Sequence, residues 1–483
     1  MLGGPGYFGI ATNLAVYLSK VLRQSNASVA TSITTWNGTG YLSSLLGALI
    51  TDSYWGRYKT ILVFTLVYFL GMLTITLSAA FSLLKPIFCK GNHCPSVIEA
   101  QKLVLFSGLY LIAFGKGGIY SSLLPLGADQ FEDRNSDELE KKKSFFNWFY
   151  FSICFGSLIS STILVWVEEN IDWALGFGIS ALFVALALGA FLYGTPIYRL
   201  QRPGGSPLKR ILQVLVAALR KTSIEVPTDN SHLYEVPLNN LIVKESWKLV
   251  HSNDFRFLDR AATISESDAR STDSPSPWRL CSVTQVEELK ILLRLLPIWV
   301  GGVIYSVSYA QMSTTFIEQG NTMETKIGCF SFPPASLFAF ETLIVILWVF
   351  IYDTLLVNIG KKFIENGHGI SWLQRMGIGF LLMMFGMCTV ALVEAKRLEC
   401  VRVGKTMSIA WQLPQYFIFG VSEVFSFVGQ IEFFNYEAPN TMKSTCNAFF
   451  LLTMSLGKLL EFSCYYISDL FYYTRRKGWL DTC

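Results

Sequence analysis

The chain has 483 residues, of which 52% are hydrophobic, 14% aromatic and only 15% charged, with a formal net charge of +4. Soluble globular chains carry about 25% charged residues, so this composition points to a polytopic membrane protein. The small net charge, placed mostly in loops, argues against a nucleic-acid partner.

Long apolar segments recur at 7–22, 36–51, 61–84, 101–125, 145–167, 173–195, 289–311, 333–357, 372–394, 408–432 and 444–468. Each is near the ~20 residues that a helix needs to cross ~30 Å of hydrocarbon. The expectation is an all-α polytopic fold of about 11 spans. Residues 1–195 are read as an N-terminal six-helix bundle, 196–288 as a cytoplasmic linker and 289–483 as a C-terminal bundle of about five helices. Glycines and prolines inside the spans, such as Gly115, Gly117, Gly118, Pro125, Pro297 and Pro414, are tolerated in membrane helices, where small residues let backbones approach.

The N-terminus lacks the basic region of a cleavable signal peptide, and Tyr7–Leu22 reads as a helix that starts late. Basic residues after the second, fourth and sixth spans and around the eighth-to-ninth connection (Arg57, Lys59, Arg134, Lys141–Lys143, Arg199, Lys361, Arg375) put those loops on one side, the cytoplasm. Lys396, Arg397, Arg402 and Lys405 follow the ninth span and break the pattern.

Asn26-Ala27-Ser28 is a glycosylation sequon in the outward loop after the first span. Cys89 and Cys94 lie in the polar loop FCKGNHCPS and can pair if that loop faces an oxidising compartment. Most of the other cysteines are small core residues by position, and no Cys/His metal spacing appears. His93, His232, His251 and His368 fall in loops and form no proton relay. In the linker, ILQVLVAALRK reads as an interfacial helix with an apolar face and basic ends. ATISESDARSTDSPSPW reads as flexible.

The second span ends GALITDSYWGRYKT, where Asp52 can accept charge-assisted hydrogen bonds and Arg57 can reach carboxylates or helix ends. The fourth reads YLIAFGKGGIYSSLLPLGADQFED. Later blocks are LLRLLPIWVGGVIYSVSYAQMSTTFIEQG, FPPASLFAFETLIVILWVFIYD and LPQYFIFGVSEVFSFVGQIEFFNYEAPNTMKS. Together, across nearly the whole chain, these resemble the plant nitrate/peptide transporter family, a branch of the proton-coupled oligopeptide transporters. The resemblance implies a major facilitator fold, with a central cavity between two bundles and alternating access. It also implies a plasma-membrane or vacuolar location, lipid, a small solute and protons as partners, no cofactor, no metal and no catalytic residues.

This sequence departs from the family pattern in several places. Where the family carries an acidic–x–x–acidic–basic motif on the first helix, the last two positions fall on Gly3 and Gly4. The family's lysine on the fourth helix is here Tyr120. Losing the acids and the lysine together leaves no orphan charge, whereas losing only the acids would strand a buried ammonium at a cost of several kcal/mol. Lys116, one turn before Tyr120, can supply a replacement cation or snorkel elsewhere. The family's twelfth helix is also missing, which reads as truncation.

Acidic residues remain at membrane depth. Glu341 and Glu423 lie within apolar spans, where ionisable groups face a cavity or a partner. They are the candidate proton- or substrate-handling groups, and a structural hydrogen bond between helices is the plainer alternative. Tyr7, Tyr17, Tyr41, Trp299, Tyr309 and Gln311 are the candidate polar wall of the cavity, with Lys116 and Tyr120. Asp353, near a helix end, reads as structural. The function expected is secondary active transport of nitrate, a di- or tripeptide or another small organic anion. A proton-independent uniporter or exporter, and a non-transporting or partner-dependent paralogue, stay open.

Overall fold

A computed structural model of the chain describes residues 3–22, 24, 26–80, 95–132, 135–201, 203–227, 233–235, 249–265, 276–327, 330–331, 334–356 and 370–480. These are almost entirely helical. The N-terminal helices are α1 (Gly3–Ala11), α2 (Leu14–Val16), α3 (Asn26–Ile50), α4 (Gly56–Ala80), α5 (Pro95–Ala128), α6 (Ser136–Ile159), α7 (Val165–Asn170) and α8 (Trp173–Tyr193). After α9 (Pro207–Arg220) come α10 (Val283–Ala310), α11 (Thr315–Asn321), α12 (Leu337–Ile351), α13 (Trp372–Arg402), α14 (Leu413–Tyr436) and α15 (Lys443–Leu480). A short hairpin pairs β1 (Lys326–Ile327) with β2 (Phe330–Ser331).

Polar residues fix several helix starts. Asn135, Asp172 and Ser282 accept from Asp137, Ala174 and Gln285 backbone nitrogens at 3.0, 2.8 and 3.2 Å. Ser371 and Gln374 form a reciprocal capping box at the start of α13. The Ser282 cap starts α10 six residues before the expected 289, because its first turns, including Glu287, Glu288 and Lys290, are buried and polar rather than apolar. The segment after Ser468, expected as a loop, is helical to Leu480; it holds no proline to end the helix.

Among the described residues, eight segments are long and apolar enough to cross a bilayer. One of them, Thr35–Ala80, holds two antiparallel helices, because Gly56 (φ +72°) turns the chain. Both pack on α5. Along α3, Trp36 Nε1 donates to Leu109 O at 2.7 Å and Thr51 Oγ1 meets Ser122 Oγ at 2.7 Å, so the two helices run parallel. Along α4 the order reverses: Gly71 faces Gly108 and Tyr68 faces Gly115. A Cβ at Gly115 would lie 2.6 Å from Tyr68 Cβ and 2.7 Å from its backbone nitrogen, so glycine is what lets these helices touch. In the C-terminal half α13 and α14 pack antiparallel, with Gly379 against Ser426 and Gly386 against Phe419. The N-terminal helices bury one apolar core around Tyr17, Met72 and Phe177. The C-terminal helices bury another around Phe316, Phe419 and Phe427.

The basic residues that break the charge pattern sit where α13 projects beyond its apolar part. Arg397 pairs with Glu394 at 2.5 Å and the Lys396 ammonium lies 4.3 Å from the Trp411 ring.

The described part of the linker is more than a tether. Val214 and Ala217 of α9, Leu258 and Ala261 of the turn Arg256–Ala262, Cys281 and Val286 form a small separate core. The α9 leucines Leu208, Leu212, Leu215 and Leu219 remain exposed on its other side. His251, Asp259 and Glu287 offer ligand atoms close together, yet Lys290 Nζ already sits 2.7 Å from Asp259 and 2.9 Å from Glu287. An ammonium thus meets the charge that a metal would otherwise meet.

Burial pushes the Cys281 thiol up to about 11. Its thiolate therefore stays scarce from pH 7 to pH 9. Maleimide treatment of the folded protein in that range is expected to spare Cys281 and to modify Cys400, which is partly exposed at the end of α13. Peptide mass spectrometry reads this directly, and equal labelling of the two would contradict the linker core.

Candidate functional site

A cavity of about 420 Å³ opens between the N-terminal and C-terminal helices. Its N-terminal wall carries Tyr7, Tyr41, Lys116 and Tyr120, and its C-terminal wall carries Tyr309, Glu341, Glu423 and Lys458, with Tyr150 and Cys154 of α6 between them. Most of the residues expected at the site from sequence are brought together here.

Packing fixes the N-terminal wall. The GGPGYFG run lets α1 lie close on α6 and α8: Gly4 meets the Gly156 backbone and Gly6 meets Val184. Tyr7 then stacks on Trp36, with ring centroids 5.7 Å apart, and its hydroxyl donates to Asn37 Oδ1 at 3.1 Å. The fixed ring supports the Lys116 ammonium, 3.7 Å from its centroid, with the Tyr41 and Tyr120 rings at 5.0 and 5.6 Å. Lys116 is therefore buried in the cavity wall rather than snorkelling to the membrane surface.

On the C-terminal wall, Tyr150 donates to Glu423 Oε1. Glu341, on α12, lines the same cavity wall as Glu423. Glu341 Oε1 and Glu423 Oε2 are both buried and lack a donor. Tyr309 packs edge-on against Phe427, ring centroids 5.0 Å apart.

Below the cavity, at the end that the basic loops assign to the cytoplasm, the two sets of helices are tied together. Asp52 Oδ2 accepts from the Thr445 backbone nitrogen and hydroxyl, both at 2.8 Å. That nitrogen is one of the unpaired donors of the first turn of α15, so the carboxylate also meets the positive end of a helix. Arg57 pairs with Asp129 and reaches Asn440 O at 3.3 Å, while Lys443 approaches Asp129 at 3.5 Å. Asn447 donates to the Tyr120 and Ser121 carbonyls at 2.8 and 3.1 Å.

A second tie mirrors the first. Asp353 accepts from Ser144, Asn147 and Trp148 of α6, at 2.9, 2.9 and 3.1 Å. Arg375 joins Asn147 at 3.0 Å and Glu432 at 3.1 Å. Asp52 and Asp353 each stand on a π-helical turn, Thr51–Trp55 and Tyr352–Leu356, that extends a spanning helix. Each carboxylate holds a helix from the other half, Asp52 at the first turn of α15 and Asp353 through side chains further along α6. Among the described residues, the polar ties between the halves lie at the level of the cavity or below it, so the conformation is sealed at this end.

Some expectations are corrected. Gln311 does not line the cavity; it caps the far end of α10 in the turn Gln311–Ser313. Trp299 Nε1 is used by Phe449 O at 2.8 Å, and Tyr17 packs between Trp173 and Phe177. Both are structural. Asn26 begins α3, but its side chain lies outside the described residues, as do Cys89 and Cys94. Sequence reading missed Lys458 and Tyr150. Lys458 carries the same signal as Glu341, an ionisable residue inside an apolar span, whereas Tyr150 looks like any aromatic in a phenylalanine-rich helix.

Comparison with known proteins bears on this geometry. The PTR2 family model, described as the POT family, matches residues 58–480. The Arabidopsis thaliana protein NRT1/PTR family 8.3 is 50% identical over 480 residues, covering 98% of this chain and 82% of that protein. NRT1/PTR family 8.1 of the same plant is 46% identical, over 94% of this chain and 81% of that one. The POT family transporter PepTSo, solved in meso, aligns with a TM-score of 0.63 at 22% identity, covering 99% of this chain and 90% of that one. A POT family transporter in complex with 5-aminolevulinic acid aligns at 0.59 and 17% identity, covering 95% and 87%. The fold is thus the major facilitator arrangement of these transporters.

Proposed function

The chain belongs to the POT family, an integral multi-pass transporter of small solutes, and on that premise we propose that it moves a small zwitterion or organic anion of dipeptide size in symport with protons. The observation that carries this reading is the buried Glu341–Glu423 pair in a cavity of about 420 Å³ that also holds cations. Such a volume lies in the range of small-molecule sites and exceeds what nitrate alone requires. Protonation of the pair changes the charge of the C-terminal wall. It also changes what Tyr150 of α6 is bound to, which links the proton to the contact between the halves. The halves 1–195 and 289–483 would then rock about the cavity, in the plasma or vacuolar membrane that the family resemblance implies.

The test is uptake into proteoliposomes of radiolabelled dialanine, 5-aminolevulinate and nitrate, with and without an inward proton gradient. Gradient-dependent accumulation of either organic solute is the expected result. Accumulation of nitrate alone would overturn the size argument, equal uptake with and without the gradient would overturn symport, and uptake of none would favour a non-transporting protein.

A further inference from the structure

The linker helix α9 presents two unlike faces. Gly205 (φ +96°) turns the chain, Ser206 caps the helix and Pro207 opens it. Val214, Ala217 and Ala218 pack into the linker core. Leu208, Leu212, Leu215 and Leu219 recur at intervals of four, three and four residues, which puts them in one stripe on the opposite side, 38–70% exposed. Lys209 and Arg220, about three turns apart, flank the stripe and are also exposed. Arg220 Nη1 donates to the Trp278 carbonyl at 3.3 Å, and neither cation has an ion-pair partner among the described residues. The helix holds no Asp or Glu. Its third cation, Arg210, lies on the packed side and meets Glu288 at 2.6 Å.

The surroundings indicate what covers the leucines. The helix follows the spanning helix α8 through residues 194–206, where Ile197 and Leu200 are exposed as well. In that connection Gln201 accepts from Arg57, beside the turn that ends the second span, at 3.1 Å. The helix thus starts near the level of the membrane surface, on the side that the basic loops assign to the cytoplasm. Anionic lipids concentrate in that leaflet. Pairing of α9 with its counterpart in a second copy about a two-fold axis would set Lys209 against Arg220, like charge against like. We propose that α9 lies on the cytoplasmic leaflet, with its four leucines among the acyl chains and Lys209 and Arg220 on anionic headgroups. The contact fixes the linker core to the bilayer. Through Arg210 and Glu288 it also reaches the Thr441 hydroxyl, 2.8 Å from Glu288, at the sealed end.

The test uses the full chain with Leu212→Cys, labelled with benzophenone maleimide in nanodiscs of equal parts phosphatidylcholine and phosphatidylserine. After irradiation, mass spectrometry of the α9 peptide, which holds no native cysteine, reads what the probe has met. Phospholipid adducts are expected, with phosphatidylserine favoured about fivefold, as one cation beside one anionic headgroup implies. Adding Lys209→Gln and Arg220→Gln should remove that preference while the adducts persist. Adducts to protein peptides in place of lipid, or no adduct at all, would overturn the docking. A preference that is absent in the first variant, or unchanged by the two Gln substitutions, would overturn the recognition of anionic headgroups. The substituted positions are exposed, so the melting temperature should hold; if Leu212→Cys melts earlier, Leu219→Cys carries the probe instead.

Discussion

Glu423→Gln is expected to abolish proton-driven accumulation of the solute while leaving solute exchange across the membrane. Gln can still accept the Tyr150 hydroxyl bond through its amide oxygen, so the contact between α6 and α14 survives. It cannot ionise, so the cavity wall beside Glu341 loses a group that can take up and release a proton. Uphill uptake should fall by about tenfold or more, in line with the loss of a positioned proton-transfer group. Counterflow should stay within about twofold, since the closing contacts remain. Comparing uptake with counterflow in the same vesicles separates the two effects. Equal loss of both would give Glu423 a purely structural role.

Arg57→Ala should have the largest effect on conformation. It leaves Asp129 buried with only Lys443, at 3.5 Å, and removes hydrogen bonds to Gln201 and Asn440. Breaking a buried pair on one side costs about 3–5 kcal/mol, because the remaining charge is uncompensated. That cost falls on the sealed conformation, in which Arg57, Asp129 and Asn440 meet. The variant is therefore expected to melt earlier in detergent. It should also label faster at the cavity thiol Cys154 when maleimide is applied from the cytoplasmic side. The double variant Arg57→Ala/Asp129→Asn should recover part of the stability, as coupled neighbours do. Unchanged Cys154 labelling would mean that this cluster does not seal the cavity.

The ladder of apolar spans was legible because membrane helices are long and uniform, and their order survives in the structure. Boundaries were less legible where polar residues are buried in helices. The first turns of α3 read as loop because Asn26–Thr35 is rich in Ser and Thr, and the start of α10 was hidden by Glu287, Glu288 and Lys290. Glu341, Glu423 and Lys116 stood out at the site because a charge inside hydrocarbon needs an explanation. Asp52 and Arg57 stood out at the end of the second span as charged groups needing partners, but the partners themselves were not legible. Asp129, Thr445 and Asn440 lie far along the chain, and only the packing of the two halves brings them close. The pairing of Asp353 with α6 was hidden for the same reason. Gln311 was misplaced because sequence spacing alone does not show that α10 ends at Ala310.

The most direct measurement of the central claim is proton entry during solute uptake, followed with a pH-sensitive dye inside proteoliposomes held at zero membrane potential. Addition of dialanine outside is expected to acidify the interior of wild-type vesicles and to leave Glu423→Gln vesicles unchanged. Solute entry without acidification in wild type would contradict proton coupling through the Glu341–Glu423 pair.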